Sequence, residues 1–127
     1  MGLSQVSASF YYNDETSNFE RFTNIGLIKT SSSAELVTDS AAGATAFASG
    51  VKSYNGAIGV ADDSTEVATI VEIVSPKNIN TGVVSTSSIV HATPACFYAH
   101  VINRGSYEDI AVDMVSSDID FFAGGGK

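Results

Sequence analysis

A run dominated by small residues, Ser40 to Ser49, constrains this chain more than any other feature. Five of its members are alanine, the strongest helix former, so the run predicts a helix with Gly50 as its stop. Asp39 or Ser40 lies at the amino end. Ala41, Ala42, Gly43 and Ala44 carry so little side chain that they leave room for a ligand beside that end. The first N–H groups of a helix are unpaired and carry partial positive charge, which suits an anionic oxygen or a phosphate. Ser40 therefore has two readings: a helix cap, the commonest use of serine there, or a hydroxyl placed for chemistry.

The segments around this run order themselves as strand, helix, strand, helix, helix, strand. Leu3, Val6 and Phe10 have helical spacing, and Gly26 to Thr30 reads as a short strand. Asp63 and Glu66 have capping-box spacing, with Val67, Ile70, Val71 and Val74 on one face and Pro76 as the stop. Gly82 to Ser85 reads as a buried strand. Thr93 and Pro94 suggest a cap followed by a first helical position, and Phe97, Tyr98 and Val101 continue the buried face. Ser106 caps a last helix with a stripe of Tyr107, Ile110, Ala111, Met114 and Val115. Ile119 to Phe122 then feeds a glycine loop at Gly124 to Lys127, read as a turn. Such an order implies an α/β fold with a mostly parallel sheet. No internal repeat or linker interrupts the 127 residues.

Composition removes several functions. Fourteen acidic against six basic residues give −8 at neutral pH, so there is no basic patch to displace counterions from a nucleic-acid backbone. The longest uncharged stretch, Asn78 to Asn103, is too rich in Asn, Ser, Thr and His to cross a membrane, and the first twelve residues lack the pattern of a secretory signal. One cysteine, Cys96, excludes an intrachain disulfide and a thiolate-rich zinc site. Two histidines, His91 and His100, cannot supply three histidine ligands. Cys96 and His100 share a helical spacing and read as packing.

Serine and threonine number 28, so position has to select among the hydroxyls. Thr38 to Ala42 lacks the glycines of a nucleophile elbow, and Gly43 to Ser53 has the wrong spacing for a phosphate-binding P-loop. His91 and Thr93 fall where a strand gives way to a helix, the edge at which open α/β sheets hold ligands. They serve either as two donors to one metal or as a hydrogen-bonded histidine and a cap. Arg104 is one of few basic residues; it either complements a helix end or, through its planar fork, grips two phosphate oxygens.

Val37-Thr38-Asp39-Ser40-Ala41-Ala42-Gly43-Ala44-Thr45-Ala46 resembles the nucleophile signature of the alkaline phosphatases. Gly50-Val51-Lys52-Ser53-Tyr54-Asn55-Gly56-Ala57-Ile58-Gly59-Val60 continues the likeness. So does the block from His91-Ala92-Thr93-Pro94-Ala95 through Ala99-His100-Val101-Ile102-Asn103-Arg104. Met1-Gly2-Leu3-Ser4-Gln5 is similar to the end of the family's Gly-Asp-Gly-Met-Gly segment. The resemblance implies a partial three-layer α/β/α domain spanning residues 1–127. It implies hydrolysis of phosphate monoesters, with Ser40 attacking phosphorus to become phosphoserine while bound to one of two zinc ions. It further implies that Arg104 grips the phosphate, that Asp39 orients Arg104, and that Thr93 ligates magnesium. His91 falls at the magnesium site, reaching the ion directly or through water.

By the same resemblance, the family's zinc sites use three histidines and several carboxylates beyond those seen here, and one further metal-binding aspartate before Met1. The expectation is accordingly a fragment of a larger enzyme, inactive alone, whose parent is a homodimer in the periplasm or outside the cell. A phosphodiesterase or sulfatase of the same superfamily is the related alternative, against which Arg104 speaks for monoesters. A non-catalytic phosphate-binding module is the alternative of a different class.

Overall fold

The computed structural model describes residues 2–125. Two strands, β1 (Gly82–Ser88) and β2 (Phe121–Gly125), pair in parallel with Gly82 opposite Phe121 and Val84 opposite Ala123. A crossover carrying two helices, α4 (Ala92–Ala95) and α5 (Tyr107–Ser116), joins them. The α/β order with parallel strands stands as expected. The other helices are α1 (Leu3–Tyr12), α2 (Ser40–Ser49) and α3 (Ile70–Val74). Among the described residues no helix is long and apolar enough to cross a membrane.

The core forms where α2 meets α4. Ala41 and Ala44 of α2 cluster with Ala92 and Ala95 of α4, and with Cys96, Tyr98, Ala99, Ile58, Val101 and Ile110. Small facing residues let the two helix backbones come close. Larger groups fill the periphery: Ile58 and Ile110 are fully buried, each worth about 1.5–3 kcal/mol of removed apolar surface. Tyr98 meets Phe122 edge to face with ring centres 5.3 Å apart, tying the crossover to β2.

A buried polar knot fixes α2 against the next segment. The Thr45 hydroxyl donates to the Ala57 carbonyl at 3.1 Å and accepts from the Gly59 N–H at 3.1 Å. Cys96 Sγ lies 3.3 Å from that hydroxyl and donates to the Ala41 carbonyl at 3.3 Å. Burial pushes the Cys96 thiol up, so it stays a neutral packing group.

Several expectations are corrected. No strand forms over 26–30; Ile25 and Leu27 stand fully exposed, with nothing beside them to form a ladder. The helix does not begin at Asp63. That carboxylate instead accepts the Thr65 N–H at 3.0 Å in a tight turn, with Ser64 left-handed at φ 66°, and Glu66 bridges back to Val60. The capping box belongs to Thr69 and Glu72, which start α3 six residues later than Asp63 would have. Pro76 falls in a 3-10 turn, Ser75–Lys77, continuing from α3. Strand β1 is half-buried in alternation rather than buried throughout, and β2 begins at Phe121 and takes in Gly124 and Gly125. The rest of the glycine loop, Gly126 and Lys127, lies outside the described residues, as does Met1. Helix α1 forms as its spacing predicts but buries no residue. In α5 only Ile110 of the stripe is buried, with Met114 packed against the core; Tyr107 and Val115 are exposed, and Ser106 precedes the helix without a side-chain cap bond.

Candidate active site

Asp39 is the cap of α2. Its Oδ1 accepts the Ala42 N–H at 2.9 Å. Ser40 is therefore not the cap and starts the helix with its side chain exposed. Gly50, left-handed at φ 77°, closes the other end. Both ends of this helix fall where the small-residue run places them.

The second half of the site comes from the segment after β1. His91 and Thr93 sit at the start of α4, and Arg104 follows in a turn. Thr93 is not the cap: His91 precedes the helix, without a side-chain cap bond, and Thr93 is its second residue. The Thr93 hydroxyl is therefore not consumed by the helix start. α4 ends at Ala95, so Cys96 and His100 are not on one helix face. Cys96 enters the core, while His100 bonds to Gly59 and Glu72.

Arg104 joins the two halves. One guanidinium nitrogen, Nη1, lies 2.9 Å from Asp39 Oδ2 and donates to Ser40 Oγ at 3.0 Å. The other, Nη2, lies 3.4 Å from His91 Nε2. A guanidinium only donates, so His91 Nε2 turns its lone pair toward Arg104 and the ring proton belongs on Nδ1. Burial pushes the Asp39 carboxyl up. The Ala42 N–H and the Arg104 guanidinium outweigh that and hold it below the usual carboxylate value, so Asp39 stays ionised beside its arginine. The pair is partly exposed, with a third of the Arg104 side chain and a quarter of the Asp39 side chain in water.

Ser40 and Thr93 open onto one shallow pocket of about 330 Å³, completed by Gly43, Ala44, Phe47 and Phe97. Two hydroxyls, one imidazole, one forked cation and a helix amino end thus converge across 64 residues of sequence. The sequence reading named all five side chains: Asp39, Ser40, His91, Thr93 and Arg104. It gave no separate part to Asn55 and Gly56, on which both halves rest. Asn55 Oδ1 accepts the Asp39 N–H at 3.0 Å, and the Gly56 carbonyl accepts the Arg104 N–H at 2.8 Å. The Asn-Gly pair is a turn signal visible in the sequence.

The residues fit a metal only in part. Hydroxyl oxygens and an imidazole are suitable donors to magnesium or zinc. The lone pair of His91 Nε2 faces Arg104, however, so while that contact holds this nitrogen is no metal donor, and the ring reaches a metal-bound water only through its Nδ1 proton. Among the described residues no three His, Cys, Asp or Glu side chains gather into a metal cluster.

Known proteins of one family are similar to this chain in sequence and in fold. The family profile described as alkaline phosphatase matches residues 1–126. The alkaline phosphatase of Schizosaccharomyces pombe is 45% identical over 107 residues, covering 80% of this chain and 20% of the relative. That of Escherichia coli is 38% identical over 117 residues, covering 84% and 25%. The solved alkaline phosphatase of the Antarctic bacterium TAB5 superposes with a TM-score of 0.95 at 67% identity, over 99% of this chain and 37% of that one. A variant of the TAB5 enzyme solved with Mg bound in the M3 site matches equally well. The chain spans about a fifth to a quarter of the length of these curated relatives.

Proposed function

The chain belongs to the alkaline phosphatase family, and from that premise we propose that it supplies the nucleophile and the phosphate grip of a phosphate monoester hydrolase. The observation that carries this reading is Arg104, whose one nitrogen reaches both Asp39 and Ser40. Asp39 holds the guanidinium beside the Ser40 hydroxyl before substrate arrives, which limits the reorganisation needed during reaction. A phosphoryl group entering there lies between Arg104 and the amino end of α2, with two non-bridging oxygens on the fork. Ser40 Oγ then attacks phosphorus in line. The Oγ–P bond forms, the bond to the ester oxygen breaks, and the alcohol departs with a proton. Water attacks the phosphoserine in turn, restores the Ser40 hydroxyl and releases inorganic phosphate.

Zinc and magnesium, when bound, would favour the ionised serine oxygen and neutralise charge on the leaving oxygen. Ser40, Thr93 and, through water, His91 are the residues here that would hold them. Two histidines in the whole chain do not make the family's zinc sites, so we assign the remaining ligands, and hence turnover, to a longer polypeptide. The homodimer and the periplasmic or extracellular setting are inferred from the resemblance alone.

A chimera tests the reading. This chain replaces the matching segment of the TAB5 enzyme, and hydrolysis of a phosphomonoester is followed with zinc and magnesium present. Turnover that Ser40→Ala abolishes and Thr93→Ala weakens is expected. Equal turnover with and without the Ser40 hydroxyl would remove Ser40 from its role.

A further inference from the structure

The segment leading into α2, Val37 to Asp39, belongs to no strand, yet its backbone is held as if it did. The Asn55 carboxamide takes the place of a neighbour. Its Oδ1 accepts the Asp39 N–H at 3.0 Å, and its Nδ2 donates to the Val37 carbonyl at 3.0 Å. A carbonyl and the N–H two residues later are the pair that one residue of a parallel neighbouring strand engages. The second Nδ2 proton goes to Glu35 Oε2 at 3.1 Å, so the amide has both its N–H bonds made and is locked in orientation.

The other side of the same turn holds Arg104. Tyr54 to Ala57 closes through the Ala57 N–H to the Tyr54 carbonyl at 3.2 Å, with Gly56 left-handed at φ 95°. The Gly56 carbonyl accepts the Arg104 N–H at 2.8 Å, the Tyr54 hydroxyl donates to the Ile102 carbonyl at 2.9 Å, and Ile58 bridges to Val101. One four-residue turn thus carries the Asp39–Ser40 segment on a side chain and the Arg104 segment on its backbone. Resting on the reading that Ser40 and Arg104 work on phosphate, we propose that Asn55 is a positioning residue: it sets the register between Asp39 and Arg104, and through them the aim of the Ser40 oxygen. Removing the carboxamide frees the backbone at Val37–Asp39, and Asp39 loses its fixed approach to the guanidinium while α2 itself remains capped by Gly50.

The 127-residue chain is compared as wild type, Asn55→Ala and Tyr98→Phe. Tyr98→Phe removes a bond to the Ile89 carbonyl elsewhere in the core and controls for plain destabilisation. The exchange of the Arg104 guanidinium protons and inorganic phosphate affinity are measured for each. In Asn55→Ala the guanidinium protons are expected to exchange faster and phosphate to bind about tenfold more weakly. Tyr98→Phe lowers the melting midpoint and moves neither. Asn55→Asp, which keeps an oxygen for the Asp39 N–H but loses the donor to the Val37 carbonyl, gives the decision if Asn55→Ala does not fold, with shifts of intermediate size. Unchanged guanidinium exchange in whichever variant folds would overturn the proposal. Absence of phosphate binding by the wild-type chain would count against the functional reading alone, because the guanidinium measurement needs no phosphate.

Discussion

His100 is the clearest place to test an energy against the structure. Its Nδ1 lies 2.7 Å from the Gly59 carbonyl oxygen and its Nε2 lies 2.9 Å from Glu72 Oε1. Both partners only accept, so the ring satisfies both as an imidazolium. Glu72 is doubly used, since its Oε2 also accepts the Thr69 N–H at 2.7 Å to complete the capping box of α3. Asp113 Oδ2 accepts the backbone N–H of His100 at 2.9 Å and lines the cavity beside it with Asp118, and the charge of Glu66 also acts on the ring. Burial pulls the imidazole pKa down, but the Gly59 carbonyl and Glu72 outweigh it and hold the value above 6.5. Burial likewise raises the Glu72 carboxyl, and the Thr69 N–H and His100 outweigh that to hold it below 4.5.

The direction in pH follows. A histidine with a raised folded pKa stabilises fully below its unfolded value and loses that contribution as pH climbs through the folded value. A glutamate with a lowered pKa stabilises fully above its unfolded value and loses it as pH falls through the folded one. The pair is therefore complete between the ordinary values of 4.5 and 6.5, and weakens on either side. A hydrogen bond between charged groups contributes about 1.5–3 kcal/mol. With 46% of the Glu72 side chain in water the pair is discounted to about 1 kcal/mol. Glu72→Gln tests this number, because glutamine keeps an oxygen for the Thr69 cap and turns an NH2 instead of a carboxylate oxygen toward His100, removing the ion pair. Urea unfolding followed by circular dichroism from pH 5 to 9 is expected to show wild type about 1 kcal/mol ahead near pH 5.5, with the gap closing above the folded histidine pKa. Parallel curves, or a gap that widens with rising pH, would refute the reasoning.

Three further outcomes are expected. Gly59→Ala should cost at least about 3 kcal/mol in urea unfolding, since φ is 59° there and a Cβ would run into the Ala99 carbonyl oxygen. Thr45→Val keeps the shape but leaves the Gly59 N–H and the Ala57 carbonyl without their buried partner, and should lose about 2–4 kcal/mol by the same assay. Arg104→Lys replaces a fork spanning Asp39, Ser40 and His91 with a point charge, so inorganic phosphate affinity by calorimetry should fall about tenfold or more with little change in the melting midpoint.

What could be read from the sequence divides along a physical line. Helix α2 was legible because its determinants are local: an alanine-rich run, Asp39 before it and Gly50 after it. The five site side chains were legible because they sit in contiguous motifs. The Asp63 start failed because a capping-box spacing is shared by an aspartate that closes a turn on Thr65, and only the left-handed Ser64 tells them apart. Thr93 is not a cap for a similar reason: Thr-Pro also fits inside the first turn of a helix whose cap, His91, stands two residues earlier. Asn55 was missed as an individual because its meaning is long-range. Its partners lie 16 to 20 residues back, and nothing in the Asn-Gly pair tells which backbone it will hold. The stripes of α1 and α5 gave the helices correctly but not their burial, since periodicity reports a face and not what covers it.

Ser40, aimed by Arg104 and Asp39, is the oxygen we propose accepts phosphate. The most direct measurement of this is an acid quench of the chimera during turnover of a phosphomonoester, followed by peptide mass spectrometry. A single phosphate on Ser40, absent from Ser40→Ala and diminished in Arg104→Lys, is the predicted result. Sustained turnover with phosphate on another residue, or with none trapped on Ser40, would contradict it.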